Sequence, residues 1–204
     1  VDKNIEADFI IFASKHQSQK PEKTLSIHTI GNFNEAKYGG KPSTLSKASA
    51  NITKHFFKIL NNLNTSNYKL TLEATHHGPS IETPSIFIEI GSTTEEWNDK
   101  EAGAVIAKTI IEATSKKIKK HKEAFAVGGP HYCPNSNEIQ LNSDYAISFI
   151  APKHALPLSE DIVKQLINQT IEKPKIAIID WKGLGTATQK NETLNLLKEE
   201  GIEI

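Results

Sequence analysis

The chain has 204 residues, 24 acidic and 24 basic, which is enough for one domain with its own core and leaves no net charge to draw it to nucleic acid or a membrane. Every basic residue is lysine, so no arginine fork clamps phosphate or carboxylate, and the single cysteine excludes a disulfide framework or a four-cysteine zinc module. Apolar runs such as 9–13 and 176–179 are too short to span a bilayer and no signal peptide opens the chain, so a cytoplasmic globular protein with no membrane contact is expected.

In chain order, short β-branched and aromatic runs alternate with longer amphipathic ones. Strands are predicted over 8–13 and 25–30, then a helix over 46–63 whose Ile52, Phe56, Ile59, Leu60 and Leu63 share one face. Strands follow over 69–75 and 85–90. A second helix is predicted over 99–120, with Asn98 as its N-cap and Glu101 in its first turn. Strands over 124–128, 144–150 and 175–180 alternate with helices over 159–171 and 191–200, the last stopped by Gly201. The pattern predicts an α/β fold: a single domain over 1–204, with a mixed sheet flanked by helices.

Three strand ends run into polar, glycine-containing loops: 76–79, 129–134 and 180–183. In open α/β sheets such loops are where ligands bind. His76 and His77 would point to opposite faces of an extended chain, but a turn at Gly78-Pro79 lets both converge, with Glu73 within reach. The pair reads as metal-ligating or catalytic, or as packing and capping residues beside a turn. His131 follows Gly128-Gly129, whose backbone could approach an oxyanion; a plain strand-to-loop turn explains the same residues. Cys133 reads as a small buried apolar residue rather than a nucleophile. The lysines at 116, 117, 119, 120 and 122 form either a solvated helix end or a phosphate-contact patch. Lys41, Lys153 and Lys182 lie near the polar loops and are equally eligible.

The run Glu73-Ala-Thr-His-His-Gly-Pro79 resembles the archaeal and plant D-aminoacyl-tRNA deacylases. Supporting motifs recur in order: Gly39-Gly40-Lys41-Pro42, Phe87-Ile88-Glu89-Ile90-Gly91-Ser92 with Trp97, Gly128-Gly129-x-His131-Tyr132-x-Pro134, Pro152-Lys153-x-Ala155-Leu156, and Asp180-Trp181-Lys182-Gly183-Leu184. The resemblance implies a phosphorylase/peptidyl-tRNA hydrolase type of mixed α/β sheet. It also implies hydrolysis of the ester joining a D-amino acid to tRNA, broad in side chain, zinc-dependent and serving chiral proofreading. It places catalysis at Glu73, His76, His77 and His131. Metal binding falls to His76, His77, His131 and Glu89, and substrate contacts to Gly128, Gly129, Tyr132, Lys153 and Lys182. D-aminoacyl-tRNA is the partner it implies, with no obligate protein partner and a monomer as the default.

Two departures from the family pattern stand out. The family's upstream strand and helix are expected to be missing, and Ser148-Phe149 stands where the family reads Gly-His. The rival readings are a nucleoside phosphorylase or peptidyl-tRNA hydrolase-like enzyme, or a non-catalytic tRNA-binding module.

Overall fold

Alternation of polar and apolar residues along the strands dictates how the sheet divides its two faces. A computed structural model of the chain describes residues 6–18, 21–65 and 67–204. In β2 (Thr24–His28), Thr24, Ser26 and His28 alternate with Leu25 and Ile27; β5 (Lys69–Leu72) and β6 (Ser85–Ser92) carry the same pattern. β6 pairs in parallel with β1 (Ile10–Gln17) and antiparallel with β2, which pairs in parallel with β5, giving the order β1-β6-β2-β5. The register sets Ser26 opposite Glu89 and Thr71, and His28 opposite Phe87, so the polar residues of adjacent strands share one face.

The other face is apolar. Leu25, Ile27, Leu72, Ile86 and Ile88 pack with Phe56, Phe57 and Leu60 of α1 (Ala50–Leu63) and Ala102 and Ile106 of α3 (Lys100–Ser115). Burying such side chains stabilises each by about 1.5–3 kcal/mol. Ser49 caps α1, and the Glu172 carboxylate accepts from the first backbone N–H groups at 3.1 Å, where the helix dipole favours a negative charge.

A second, parallel ladder has the order β8-β7-β9, from Tyr145–Ala151, Lys122–Val127 and Ala177–Ile179. Phe125, Val127, Phe149 and Ala177 face α5 (Glu160–Asn168) and α6 (Ala187–Glu199), while Ala126 and Ile147 join the α1 core. The expected single sheet is therefore hydrogen-bonded in two parts. They meet where Thr75, just past β5, donates its N–H to Ile150 O at 3.0 Å and accepts from Ile150 N–H on its hydroxyl at 3.1 Å. A small hairpin, β3 (Gly31–Asn32) with β4 (Thr44–Leu45), stands beside them.

Several local expectations change; α1 starts at Ala50, after the β4 pairing, and α6 at Ala187, capped by Thr186. β1 runs four residues past the predicted end, because its polar stretch stays paired with β6 through Ser92. α3 ends at Ser115 rather than 120, where its buried stripe of Ala102, Ile106, Thr109 and Ala113 runs out and nothing supports a further turn. Asp99, not Asn98, caps that helix; Asn98 closes the short α2 (Thr94–Trp97) instead. α4 (Pro134–Asn142) has no apolar period to announce it. It is tied down by side chains: Asn137 Oδ1 accepts from Leu72 N–H at 2.6 Å, and Gln140 Oε1 accepts from Ile147 N–H at 2.8 Å.

Candidate active site

The polar face of the four-stranded sheet is the floor of the site. Glu73 follows β5 on the Thr71 side of the strand and is almost fully buried. Segment 131–133 zips antiparallel onto the end of β5: Ala74 N–H donates to His131 O at 2.8 Å, and Cys133 N–H to Leu72 O at 3.3 Å. This pairing sets His131 over Glu73, and Nε2–H of His131 donates to Glu73 Oε2 at 3.0 Å. His16, from the end of β1, brings Nδ1 to 3.3 Å of the same oxygen, and His76 brings Nε2 to 3.7 Å. Three imidazoles thus surround one carboxylate.

Behind them lies a second group. His28 of β2 is fully buried, with Nε2 at 3.4 Å from Glu89 Oε2, and its ring packs 4.1 Å from that of His76 and 4.9 Å from that of His77. The turn at Gly78-Pro79 does bring the two neighbouring histidines together, with ring centroids 4.4 Å apart. Three of these rings are oriented by the backbone. Nδ1–H of His28, His76 and His77 donates to Thr29 O (3.1 Å), Ala74 O (2.8 Å) and Gly78 O (2.5 Å). For His76 and His77 this leaves the Nε2 lone pair toward the cluster, the arrangement of a metal ligand or a base, whereas Nε2 of His28 faces the Glu89 carboxylate.

Electrostatics follow from this crowding. Burial alone would raise the pKa of Glu73, but the His131 hydrogen bond and the neighbouring imidazoles of His28, His16 and His76 reverse that and hold its carboxyl well below the usual carboxylate range. Burial lowers the pKa of both His76 and His77, and neighbouring His28 adds to it, so both rings are neutral at physiological pH. Burial also opposes the charged form of His28, yet Glu89 and Glu73 outweigh it and raise its pKa.

Ligand atoms within 4.8 Å of one another form three groups: His16 with Glu73, His76 and His131; His28 with His76 and His77; and His28 with Glu73 and Glu89. The metal residues expected from the sequence therefore lie in one cluster but not in one ligand shell. His131 belongs to the first group, while His77 and Glu89 each group with His28. Glu73 Oε1 and His28 Nε2 are buried without a hydrogen-bond partner among the described residues. Orphaned atoms of this kind, beside lone pairs held inward, fit a cation.

The remaining candidates divide. Gly128 N–H donates to Ala151 O at 2.8 Å and Gly129 N–H to Gly183 O at 3.2 Å, so neither amide is free to hold an oxyanion. These glycines serve close packing instead: a Cβ on Gly183 would come within 2.1 Å of Gly129 N. Tyr132 stands against the cluster, its ring 5.9 Å from His16 and 5.4 Å from His131. Lys153 and Lys182 are exposed on the loops after β8 and β9, the former tied by its N–H to Gly129 O at 2.9 Å. Cys133 is buried, and burial pushes its thiol pKa up to about 12, which suits the apolar reading. Phe149 is fully buried among Phe125, Leu45 and Val163, so the imidazole absent there removes no ligand from the cluster. His154 borders the cleft but joins none of the ligand groups among the described residues.

Sequence reading missed His16 and His28. His28 was legible as the third polar residue of an alternating strand, Thr24-Leu-Ser-Ile-His28, whose polar side had to face something. His16 was hidden because its strand ends in Ser-Lys-His-Gln, which reads as loop.

Two adjoining lobes of about 650 and 570 Å³ open over the cluster, sizes in the range of small-molecule sites. Both are bordered by His76, His77 and His131.

The family model described as D-aminoacyl-tRNA deacylase matches residues 3–204. A D-aminoacyl-tRNA deacylase of Pyrococcus furiosus is 39% identical over 201 residues, covering 98% of this chain and 72% of that protein. One from Methanocaldococcus jannaschii is 35% identical, covering 97% of this chain and 81% of its own length. A crystal structure of a conserved protein of unknown function superposes with a TM-score of 0.89 at 33% identity, covering 98% of this chain and 72% of the other.

Proposed function

The chain belongs to the D-aminoacyl-tRNA deacylase family, and from that premise we propose that the histidine–carboxylate cluster on the sheet face carries out the family's reaction. That reaction is hydrolysis of the ester between a D-amino acid and the 3′ end of tRNA, releasing both. The observation that carries the assignment to these residues is the convergence of His16, His76 and His131 on one buried carboxylate at the meeting point of two lobes. An aminoacyl ester has two pieces to place, and two lobes sharing one cluster provide for both.

His16, Glu73, His76 and His131 are the residues that would hold a zinc ion, supported by their spacing and by the orphaned Glu73 Oε1. Such an ion, when bound, lowers the pKa of water toward neutrality and polarises the ester carbonyl. His77 is neutral, with Nδ1–H anchored on Gly78 O, so its Nε2 lone pair can take a proton from the attacking water and return it to the leaving ribose oxygen. Glu73 stays ionised throughout and fixes the His131 ring. Lys153 and Lys182 stand on the loops bordering this end of the sheet, where they can neutralise backbone phosphates of the incoming strand.

No helix among the described residues is long and apolar enough to cross a membrane. Charged tRNA is the substrate, so the cytoplasm, where it is made, is the place of action. Broad acceptance of D side chains follows if chirality is judged at Cα, by collision with the L substituent, rather than by side-chain recognition. Release of D-tyrosine from D-tyrosyl-tRNA by the wild-type protein, and its loss in His131→Ala with the fold intact, is the test. Full turnover by His131→Ala would move the reaction away from this cluster.

A further inference from the structure

Tyr38 is 82% exposed, and it borders both lobes of the cleft. A large ring so exposed beside a catalytic cluster calls for a reason. Its loop is not loose. Asn32 Nδ2 donates to the carbonyls of Gly39 at 3.0 Å and Lys41 at 3.2 Å, and Lys41 N–H donates to Ser80 Oγ at 2.9 Å. Gly39 and Gly40 take φ of +88° and +85°, and a Cβ on Gly78 would meet Gly40 N at 2.2 Å. The loop backbone is therefore pressed directly against the residue after His77, and the tyrosine is held out from a fixed base at the edge of the site.

We infer that Tyr38 is the stacking platform for the terminal adenine of the tRNA 3′ end. This rests on the deacylase reading, because the ester carbonyl must reach the histidine cluster and the terminal base lies one ribose away from it. Apart from the imidazoles, the rings bordering the two lobes are Tyr38 and Phe33, and Phe33 is buried at 8% exposure. With no arginine in the chain, guanidinium stacking is not available to hold a base. An exposed aromatic face binds a nucleobase through its π surface, with no base-specific hydrogen bonds required. Its place between the lobes lets the ribose pass into one while the amino acid occupies the other.

The test uses AMP as the probe, measured by equilibrium binding and by competition against D-tyrosyl-tRNA and D-alanyl-tRNA. Tyr38→Ala should weaken AMP binding and raise KM by roughly 5- to 150-fold, equally for both substrates, with a smaller effect on kcat. Tyr38→Phe should restore both. Melting temperature should not move, since the ring makes no core contact. Unchanged AMP affinity in Tyr38→Ala overturns the inference, and so does a KM effect confined to D-tyrosyl-tRNA, which would place the ring against the amino acid. A wild-type protein that binds AMP through Tyr38 but releases no D-amino acid would sink the deacylase reading and leave this subsite standing.

Discussion

At the scale of single residues, the site is a competition between burial and charge. Glu73 is removed from water yet kept ionised by the His131 hydrogen bond and the imidazoles around it, so its replacement should be felt in chemistry before stability. Glu73→Gln and His131→Ala are each expected to lower kcat/KM about 10²-fold or more, the scale for loss of a positioned acid, base or ligand orienter, and to lower zinc retained after purification. Metal analysis alongside kinetics checks this; intact activity after stripping the metal to background would overturn the zinc assignment alone. Cys133 should resist alkylation in the folded protein at pH 8, because burial pushes its pKa up to about 12, and should react only on unfolding. Rapid labelling with loss of activity would reopen a nucleophilic role. The motif histidines stood out in the sequence through the resemblance carried by 73–79, since their chemistry alone left packing beside a Gly-Pro turn equally open. Nothing in sequence spacing could reveal that Glu73 Oε2 is where His16, His76 and His131 meet, since the His131–Glu73 contact spans 58 residues.

At the scale of elements, polar groups within the core do work that periodicity cannot announce. Lys54 of α1 is fully buried and donates to the carbonyls of Gln140 (2.5 Å), Ser143 (3.0 Å) and Tyr145 (2.8 Å), joining α1 to the end of α4 and the start of β8. Lys54→Met would leave three carbonyls, that of Gln140 buried, without their donor and should destabilise the fold by about 3 kcal/mol, measured by denaturant titration. Burial, then Lys58, lowers the Lys54 pKa from 10.5 to about 8. Between those pH values the unfolded chain binds the extra proton, so wild-type stability should rise with pH across that window relative to Lys54→Met. Parallel pH profiles for the two proteins would contradict the assignment. The amphipathic α1 was readable from its apolar stripe, whereas α4 was not, because side-chain hydrogen bonds rather than an apolar face secure it.

At the scale of the molecule, α1 and α3 cover the apolar face of the four-stranded sheet, and the histidine loops stand over its polar face, where Asn137 of α4 also donates to Thr71 Oγ1 at 3.0 Å. The alternation in β2, β5 and β6 is the sequence record of that division. Glycine-containing strand ends mark the loops in the sequence, but not the floor beneath them. The lysine run at 116–122 precedes and opens β7, at the opposite end of that strand from Gly128, about 20 Å away by strand rise. Neutralising Lys153 and Lys182 should therefore raise KM and flatten the salt slope by roughly 0.7–0.9 per lysine, while neutralising Lys119 and Lys120 should do neither. The reverse result would put the tRNA on the other end of the sheet.

A site that hydrolyses D-aminoacyl esters of tRNA must spare the L form, which dominates in any cell. Discrimination through fit of one methylene yields only about 10–200-fold, whereas steric rejection at Cα allows about 10⁴. The direct measurement is kcat/KM for D- and L-tyrosyl-tRNA prepared on the same tRNA. A preference for the D ester by about 10⁴, retained with D-alanyl-tRNA, is the predicted result; comparable rates for the two enantiomers would show a general esterase rather than a chiral proofreader.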